Sequence, residues 1–229
     1  SRNIAQVFQF PVIYNTMTVY ENLAFPLKCR DFSKDKVEER VNSVADTLNL
    51  KSFLNSPARK LTADQKQLIS LGRGLVREDV AAVLMDEPLT VIDPDLKFRL
   101  RRKLKEINEE FKTTLVYVTH DQTEALTMSS RIAVFNDGHV QQLSGPNELY
   151  ETPVNSFVAE FIGENNTITG TVKEISNNQA KVETDKGESV IANPIAVKSV
   201  GEKTKMSLRP ERVMINPAAN LENKFYASV

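Results

Sequence analysis

Three short polar segments each follow an apolar run. Gln9 comes after Ile4-Ala5-Gln6-Val7-Phe8, Asp86-Glu87 after Val80-Ala81-Ala82-Val83-Leu84-Met85, and His120 after the β-branched Thr113-Thr114-Leu115-Val116-Tyr117-Val118-Thr119. The unbroken run Val80–Met85 predicts a buried strand of a parallel sheet, covered on both faces, while Ile4–Phe8 reads as a short buried strand and Thr113–Thr119 as a β-branched one. The C-terminal ends of such strands lie along one edge, where ligands bind in open α/β sheets. Four polar side chains then converge on one crevice. A carboxylate pair with a glutamine and a histidine suits phosphoryl transfer assisted by Mg2+, which is held through one or two carboxylates and phosphate oxygens. With Cys29 the only cysteine and His120 and His139 the only histidines, an intrachain disulfide is excluded and a structural zinc site is not expected.

The elements that must position these groups are legible from caps and periodicity. Thr18 with Glu21 reads as a capping box opening a helix near Met17 to Leu23. Ser33 caps a second helix, whose Val37, Val41, Val44, Ala45, Leu48 and Leu50 make an apolar stripe among charges. Thr62 with Gln65 is a second capping box, starting a helix that runs to about Arg77. Asp93-Pro94 opens a long charged helix with Leu96, Leu100, Leu104 and Ile107 inward and Arg99, Arg101, Arg102, Lys103 and Lys105 on a solvated face. A short helix covers Gln122 to Met128, and Asn136-Asp137-Gly138 marks a β-hairpin. Further short helices follow near Glu148 and from Ser156 to Ile162.

After Gly163 strands alternating with helices give way to strands alone. Thr167–Ile175, Gln179–Thr184, Ser189–Ala192, Thr204–Leu208 and Arg212–Ile215 read as strands of a small β-barrel or sandwich. The expected organisation is an α/β domain over residues 1–163 and a small all-β domain over 164–229. A net charge of −1 gives no general attraction to nucleic acid or anionic lipid. No apolar run reaches the roughly 18 residues of a membrane span, so membrane association is expected to go through a partner.

In this order the segments resemble the ATP-binding cassette (ABC) ATPases that power membrane transporters. Val7-Phe8-Gln9 resembles the Q-loop, and Leu84-Met85-Asp86-Glu87-Pro88 the Walker B strand with its catalytic glutamate. Thr90-Val91-Ile92-Asp93 sits where the D-loop belongs, and Tyr117-Val118-Thr119-His120-Asp121-Gln122 is similar to the H-loop. Met17-Thr18-Val19-Tyr20-Glu21-Asn22 and Ser207-Leu208-Arg209-Pro210-Glu211 are closest in texture to importers of the maltose, glycerol-phosphate and polyamine type. The resemblance implies that the second of these belongs to their OB-like TOBE domain, which is expected to be cut short here. The resemblance implies a P-loop NTPase-like sheet with a helical subdomain, and ATP with Mg2+ as ligands. It implies Asp86 and Gln9 at the metal, Glu87 as general base, and His120 on the γ-phosphate. It also implies a second ATPase subunit, identical or different, and permease subunits received by Met17 to Leu23 and the helical subdomain. The cytoplasmic face of the cell membrane is the implied location, and nucleic acid is not an implied partner. A DNA-acting cassette would need a coiled-coil insertion and a basic surface, neither of which is seen.

Two departures qualify the resemblance. No Gly-x-x-x-x-Gly-Lys-Ser/Thr loop occurs in the 229 residues, whose 8 glycines form no phosphate nest. In the family that loop precedes the Q-loop, so it is expected before Ser1, and the chain as it stands is expected to be inactive. Where the family signature reads Leu-Ser-Gly-Gly-Gln, this chain has Leu61-Thr62-Ala63-Asp64-Gln65. Thr62, Ala63, Asp64 and Gln65, with Asp93, would face the nucleotide held by the partner subunit, and Asp64 brings a carboxylate toward a triphosphate. A degenerate composite site is one expectation, with a glycerol or glycerol-phosphate importer the nearest branch. The alternative is a non-catalytic cassette acting as a regulatory or interaction module.

Overall fold

The computed structural model describes residues 3–111, 113–215 and 221–225. The chain divides into two compact units, Ser1–Glu124 and Ala125–Val229.

In the first unit, strands β1 (Ile4–Val7), β2 (Ala82–Asp86) and β3 (Thr114–Val118) form a parallel sheet in the order β1-β2-β3. Helices α1 (Val19–Lys28), α2 (Lys34–Thr47) and α3 (Ala63–Leu75) connect β1 to β2. Helix α4 (Pro94–Phe111) connects β2 to β3, and α5 (Gln122–Met128) follows β3. Val7 pairs with Met85 and Asp86 with Val118, so the three strands end level and release their following residues at one edge.

Local chemistry starts and stops these helices. Both expected capping boxes form: the Thr18 hydroxyl accepts from the Glu21 amide while the Glu21 carboxylate accepts from the Thr18 amide, and Thr62 with Gln65 repeats the arrangement. Helix α2 closes through Asn49, whose φ of +54° is left-handed, and the Leu50 amide then donates to the Ala45 carbonyl at 2.7 Å. That reversal returns Leu50 to the core. Two glycines set how closely α3 packs. A Cβ at Gly72 would come within 2.6 Å of Leu23 Cδ2, and one at Gly74 within 2.5 Å of Val7 Cγ2. Any side chain there would push α3 away from α1 and β1.

Alternate strand residues Ala5, Val7, Val83 and Met85 are buried, whereas Ile4, Val116 and Val118 of the same sheet are exposed. In β2, the strand expected to be covered on both faces, Val83 and Met85 are buried on one face and Ala82 and Leu84 are half-buried on the other. Leu100 and Leu104 of α4 are buried as expected, and Leu96 and Ile107 are half-buried.

The second unit begins with the hairpin β4 (Ile132–Asn136) and β5 (His139–Ser144). Its turn residues Asp137 and Gly138 have φ of +47° and +75°, the left-handed pair that matches strand twist. Helices α6 (Pro146–Glu151) and α7 (Ser156–Phe161) share a core with Ile132 and Val134 through Leu149 and Val158. Strands β6 (Asn166–Ser176), β7 (Gln179–Thr184), β8 (Ser189–Ala192) and β9 (Lys203–Leu208) form an antiparallel sheet in the order β8-β7-β6-β9. The described strands of this region make one open four-stranded sheet, where a barrel or sandwich was expected. The expected strand at Arg212–Ile215 is absent, and Pro210–Arg212 is a 3-10 turn. Pro210 has no N–H for a ladder. Buried Arg209 fixes the start of that turn by donating to the Tyr150, Ala159 and Glu164 carbonyls, with its guanidinium 4.4 Å from the Tyr150 ring centroid.

Candidate functional site

The level strand ends bring three of the expected residues onto one atom. Gln9 Nε2 donates to Glu87 Oε2 at 3.1 Å, His120 Nδ1 lies 3.0 Å from the same oxygen, and Thr90 Oγ1 donates to it at 3.2 Å. Glu87 follows β2, Gln9 follows β1 and His120 follows β3, so parallel strand order alone accounts for their meeting. The His120 side chain keeps 69% of its exposure and Glu87 only 23%. The histidine thus sits at the mouth of the crevice, with the carboxylate behind it.

Glu87 adopts a φ of +42°, a left-handed conformation that costs a non-glycine residue about 1–3 kcal/mol. Two backbone bonds hold it there: its amide donates to the Val118 carbonyl at 2.9 Å, and its carbonyl accepts from the Thr90 amide at 3.3 Å. The turn aims the side chain across the strand ends rather than along β2. The hydrogen bond from His120 holds the Glu87 carboxyl below the usual glutamate range. Partial burial opposes this, and Thr90 and the charge of His120 add to it. An ionised, well-placed carboxylate can accept a proton from a water molecule between it and an electrophile.

Asp86 closes β2 with an exposed carboxylate. Because the Gln9 amide nitrogen is spent on Glu87, the Gln9 amide oxygen is its remaining acceptor. No cluster of three or more His, Cys, Asp or Glu residues among the described ones would enclose a metal by itself. One carboxylate and one amide oxygen fit Mg2+, a hard cation that retains waters and takes phosphate oxygens from its ligand.

Asp93 lies at the N-terminus of α4, where its Oδ1 accepts from the Asp95 and Leu96 amides at 3.0 and 3.3 Å. Thr62, Ala63, Asp64 and Gln65 form the first turn of α3. Among the described residues, no hydrogen bond or ion pair joins these four side chains to Gln9, Glu87 or His120. The Thr62 hydroxyl oxygen accepts from the Gln65 amide at 3.4 Å, which leaves its proton available to an anion. Half-buried Asp64 adds a negative group at the positive end of that helix.

Gln67 is a site residue that sequence reading missed. It is fully buried in α3, and its Nε2 donates to the Phe8 carbonyl at 3.2 Å and the Pro88 carbonyl at 3.0 Å. One amide thereby ties the residue before Gln9 to the residue after Glu87. Ser70 and Arg73, further along α3, hold the same loop through the Val12 amide (3.2 Å) and carbonyl (2.8 Å). The spacing 67, 70, 73 was the available signal, since it puts three polar side chains on one helix face.

Of Met17 to Leu23, Val19, Asn22 and Leu23 are buried and Glu21 is exposed. The Asn22 amide clasps the neighbouring loop, accepting from the Tyr14 amide at 2.8 Å and donating to the Tyr14 carbonyl at 3.0 Å. Phe10, Val12 and Tyr14 remain exposed on that loop. No helix among the described residues is long and apolar enough to cross a membrane.

Residues 1–90 match the family model described as ABC transporter. The whole chain is 41% identical to an uncharacterized ABC transporter ATP-binding protein, YcjV, of Escherichia coli O6:H1, of which it covers 63%. Over 71% of the chain it is 48% identical to the trehalose/maltose import ATP-binding protein MalK of Thermococcus litoralis, covering 43% of that protein. Over the same share it is 46% identical to the sn-glycerol-3-phosphate import ATP-binding protein UgpC of Brucella abortus, covering 46%. The chain thus spans less than two thirds of the length of these relatives.

Proposed function

We propose that the chain, which is similar to ABC transporter ATP-binding proteins throughout its length, supplies the water-activating half of a Mg2+-dependent ATPase site driving solute import. The observation that carries this reading is the convergence of Gln9, Thr90 and His120 on one oxygen of Glu87.

Glu87 is the general base. Its carboxylate takes the proton of the attacking water, and the left-handed turn keeps it aimed there without further rearrangement. His120, at the crevice mouth, holds Glu87 through Nδ1, and its imidazolium form, with a second N–H on Nε2, donates from there to the γ-phosphoryl oxygens as charge develops on them. Asp86 and the Gln9 amide oxygen would hold Mg2+, which would supply charge neutralisation on the transferring phosphoryl group. With its nitrogen on Glu87 and its oxygen on that cation or the attacking water, Gln9 would link nucleotide binding to the general base.

Thr62, Ala63, Asp64, Gln65 and Asp93 act on the nucleotide of a second ATPase subunit, identical or different. A helix N-terminus with a free hydroxyl proton is suited to phosphate. The exposed Phe10-Val12-Tyr14 loop, with the surface from Met17 to Leu23, receives a permease subunit at the cytoplasmic face of the membrane. The proposed cargo is a sugar, a polyol or glycerol phosphate, of which the names of MalK and UgpC support sugars and glycerol phosphate. The OB-like (TOBE) assignment rests on the strand-only region after Gly163, where we put the domain division. Lacking a glycine-rich phosphate loop among its 229 residues, the chain by itself is proposed to be inactive. Asp64 supports a second reading, a degenerate cassette with a regulatory role.

Mg2+-dependent ATP hydrolysis by the complete protein, compared with its Asp86→Asn variant, tests the proposal. A loss of at least about 100-fold in the variant agrees with it, on the scale of a lost charge-stabilising group. No Mg2+-dependent hydrolysis by the unaltered protein would favour the regulatory reading.

A further inference from the structure

Glu124 is the buried carboxylate for which the hydrolytic reading has no use. Its side chain is 3% exposed. Oε2 accepts from the Tyr117 hydroxyl at 2.9 Å and the Thr119 hydroxyl at 2.8 Å, and Oε1 faces Lys97 Nζ at 3.3 Å. A charge so withdrawn from water persists only when hydrogen-bonded and paired, as this one is on both oxygens.

These partners surround the turn that carries His120. Thr119, before it, donates to Glu124 and accepts from the Asp121 amide at 3.0 Å. Asp121, after it, caps α5 by accepting from the Thr123 and Glu124 amides at 2.9 and 3.2 Å, and its other oxygen lies 3.7 Å from Lys97 Nζ. Both neighbours of His120 are therefore tied to the Lys97–Glu124 pair, while His120 alone points out to Glu87. Lys97 also sits one turn into α4, its amide donating to the Asp93 carbonyl at 2.8 Å. Burial raises the Tyr117 hydroxyl well above its usual range, reinforced by the Glu124 carboxylate, so Tyr117 remains a donor throughout the working pH range.

We propose that Lys97 and Glu124 are positioning residues that hold the Thr119-His120-Asp121 turn so that His120 Nδ1 meets Glu87, and that they tie this turn to the helix beginning at Asp93. The inference rests on the ATPase reading for its catalytic consequence, but not for its geometry.

The geometry has a direct signature. A hydrogen bond from Nδ1 to a carboxylate selects the neutral imidazole with its proton on Nδ1, and nitrogen NMR distinguishes that tautomer from the Nε2–H form. With only His120 and His139 in the chain, two imidazoles need assignment, and His139 serves as the internal control. At about pH 8.5, where an ordinary imidazole is neutral, His120 of the 229-residue chain is expected to carry its proton on Nδ1. Lys97→Met and Glu124→Gln should each move His120 toward Nε2–H and leave His139 unchanged. Lys97→Arg, which keeps a cation within reach of Glu124, should restore the unaltered spectrum. Lys97 is 21% exposed, so its replacement keeps the test available if Glu124→Gln does not fold.

In the complete protein the same variants should lower kcat about 10-fold with KM within about 2-fold, as lost orientation would. An unchanged His120 tautomer in folded Lys97→Met, with hydrolysis intact, overturns the positioning role. A tautomer shift in a protein whose unaltered form hydrolyses no ATP supports the positioning role and contradicts the ATPase reading instead.

Discussion

Replacing Asp64 by glycine in the complete protein should weaken the fold and strengthen the catalyst. Asp64 lies in the first turn of α3, two residues after the Thr62 cap. Its carboxylate complements the helix dipole there by about 0.3–1 kcal/mol, and glycine adds a few tenths of a kcal/mol of backbone entropy cost. The sum is about 1 kcal/mol, or a fall of about 2–4 °C in Tm for a chain of this size. On the proposed function, the opposing effect is repulsion from a triphosphate held by a partner subunit. Two like charges 4 Å apart at an effective dielectric of 20 repel by about 4 kcal/mol. If that repulsion were wholly relieved in the transition state, its ceiling would be about 1,000-fold in rate. Half-burial keeps Asp64 in contact with water, so a gain of about 10- to 100-fold is the expected outcome.

Thermal unfolding and steady-state ATPase on the same preparation measure both arms. Asp64→Asn removes the charge while keeping the shape, and should recover most of the gain. A lower Tm without any gain in hydrolysis would refute the reasoning, because the carboxylate would then serve only its own helix.

Two further outcomes follow from the crevice. Gln67→Leu leaves the Phe8 and Pro88 carbonyls without their donor, so unfolding free energy by denaturant titration should drop by about 2 kcal/mol or more. Because the His120 hydrogen bond lowers the Glu87 pKa below that of an ordinary glutamate, the stability this contact contributes is present above the unfolded-state pKa. It is lost as pH falls through the lower folded value. A carboxyl NMR titration should find Glu87 below the ordinary range in the unaltered chain and nearer to it in Thr90→Val, which deletes one donor.

Local chemistry made helix starts in the first unit and the opening hairpin of the second readable. Thr18 with Glu21 and Thr62 with Gln65 are capping boxes in sequence and in space, and Asn136-Asp137-Gly138 makes the hairpin that its left-handed preference predicts. The convergence of Gln9, Glu87 and His120 was legible because parallel strands of level register must deliver their following residues to one edge. The supporting shell was not. Gln67, Lys97 and Glu124 are polar helix residues, and a sequence does not distinguish a polar side chain in solvent from one buried against two loops. Nor did the apolar run Val213-Met214-Ile215 make a strand: the chain just before it is a 3-10 turn begun by Pro210, which has no ladder donor, and by Arg209, whose guanidinium is committed to three carbonyls. The exposed Ile4, Val116 and Val118 show the same limit for β-branched runs, which predict a strand without saying how many of its faces are covered.

The central claim, that the Glu87 carboxylate activates the attacking water, is tested most directly by single-turnover ATP hydrolysis in the complete protein carrying Glu87→Gln. Glutamine keeps an acceptor for Gln9, Thr90 and His120 but is no general base. The account predicts a hydrolysis step slowed by about 100- to 10,000-fold, with nucleotide affinity within about 3-fold of the unaltered protein. A hydrolysis rate within about 3-fold of the unaltered protein would contradict it.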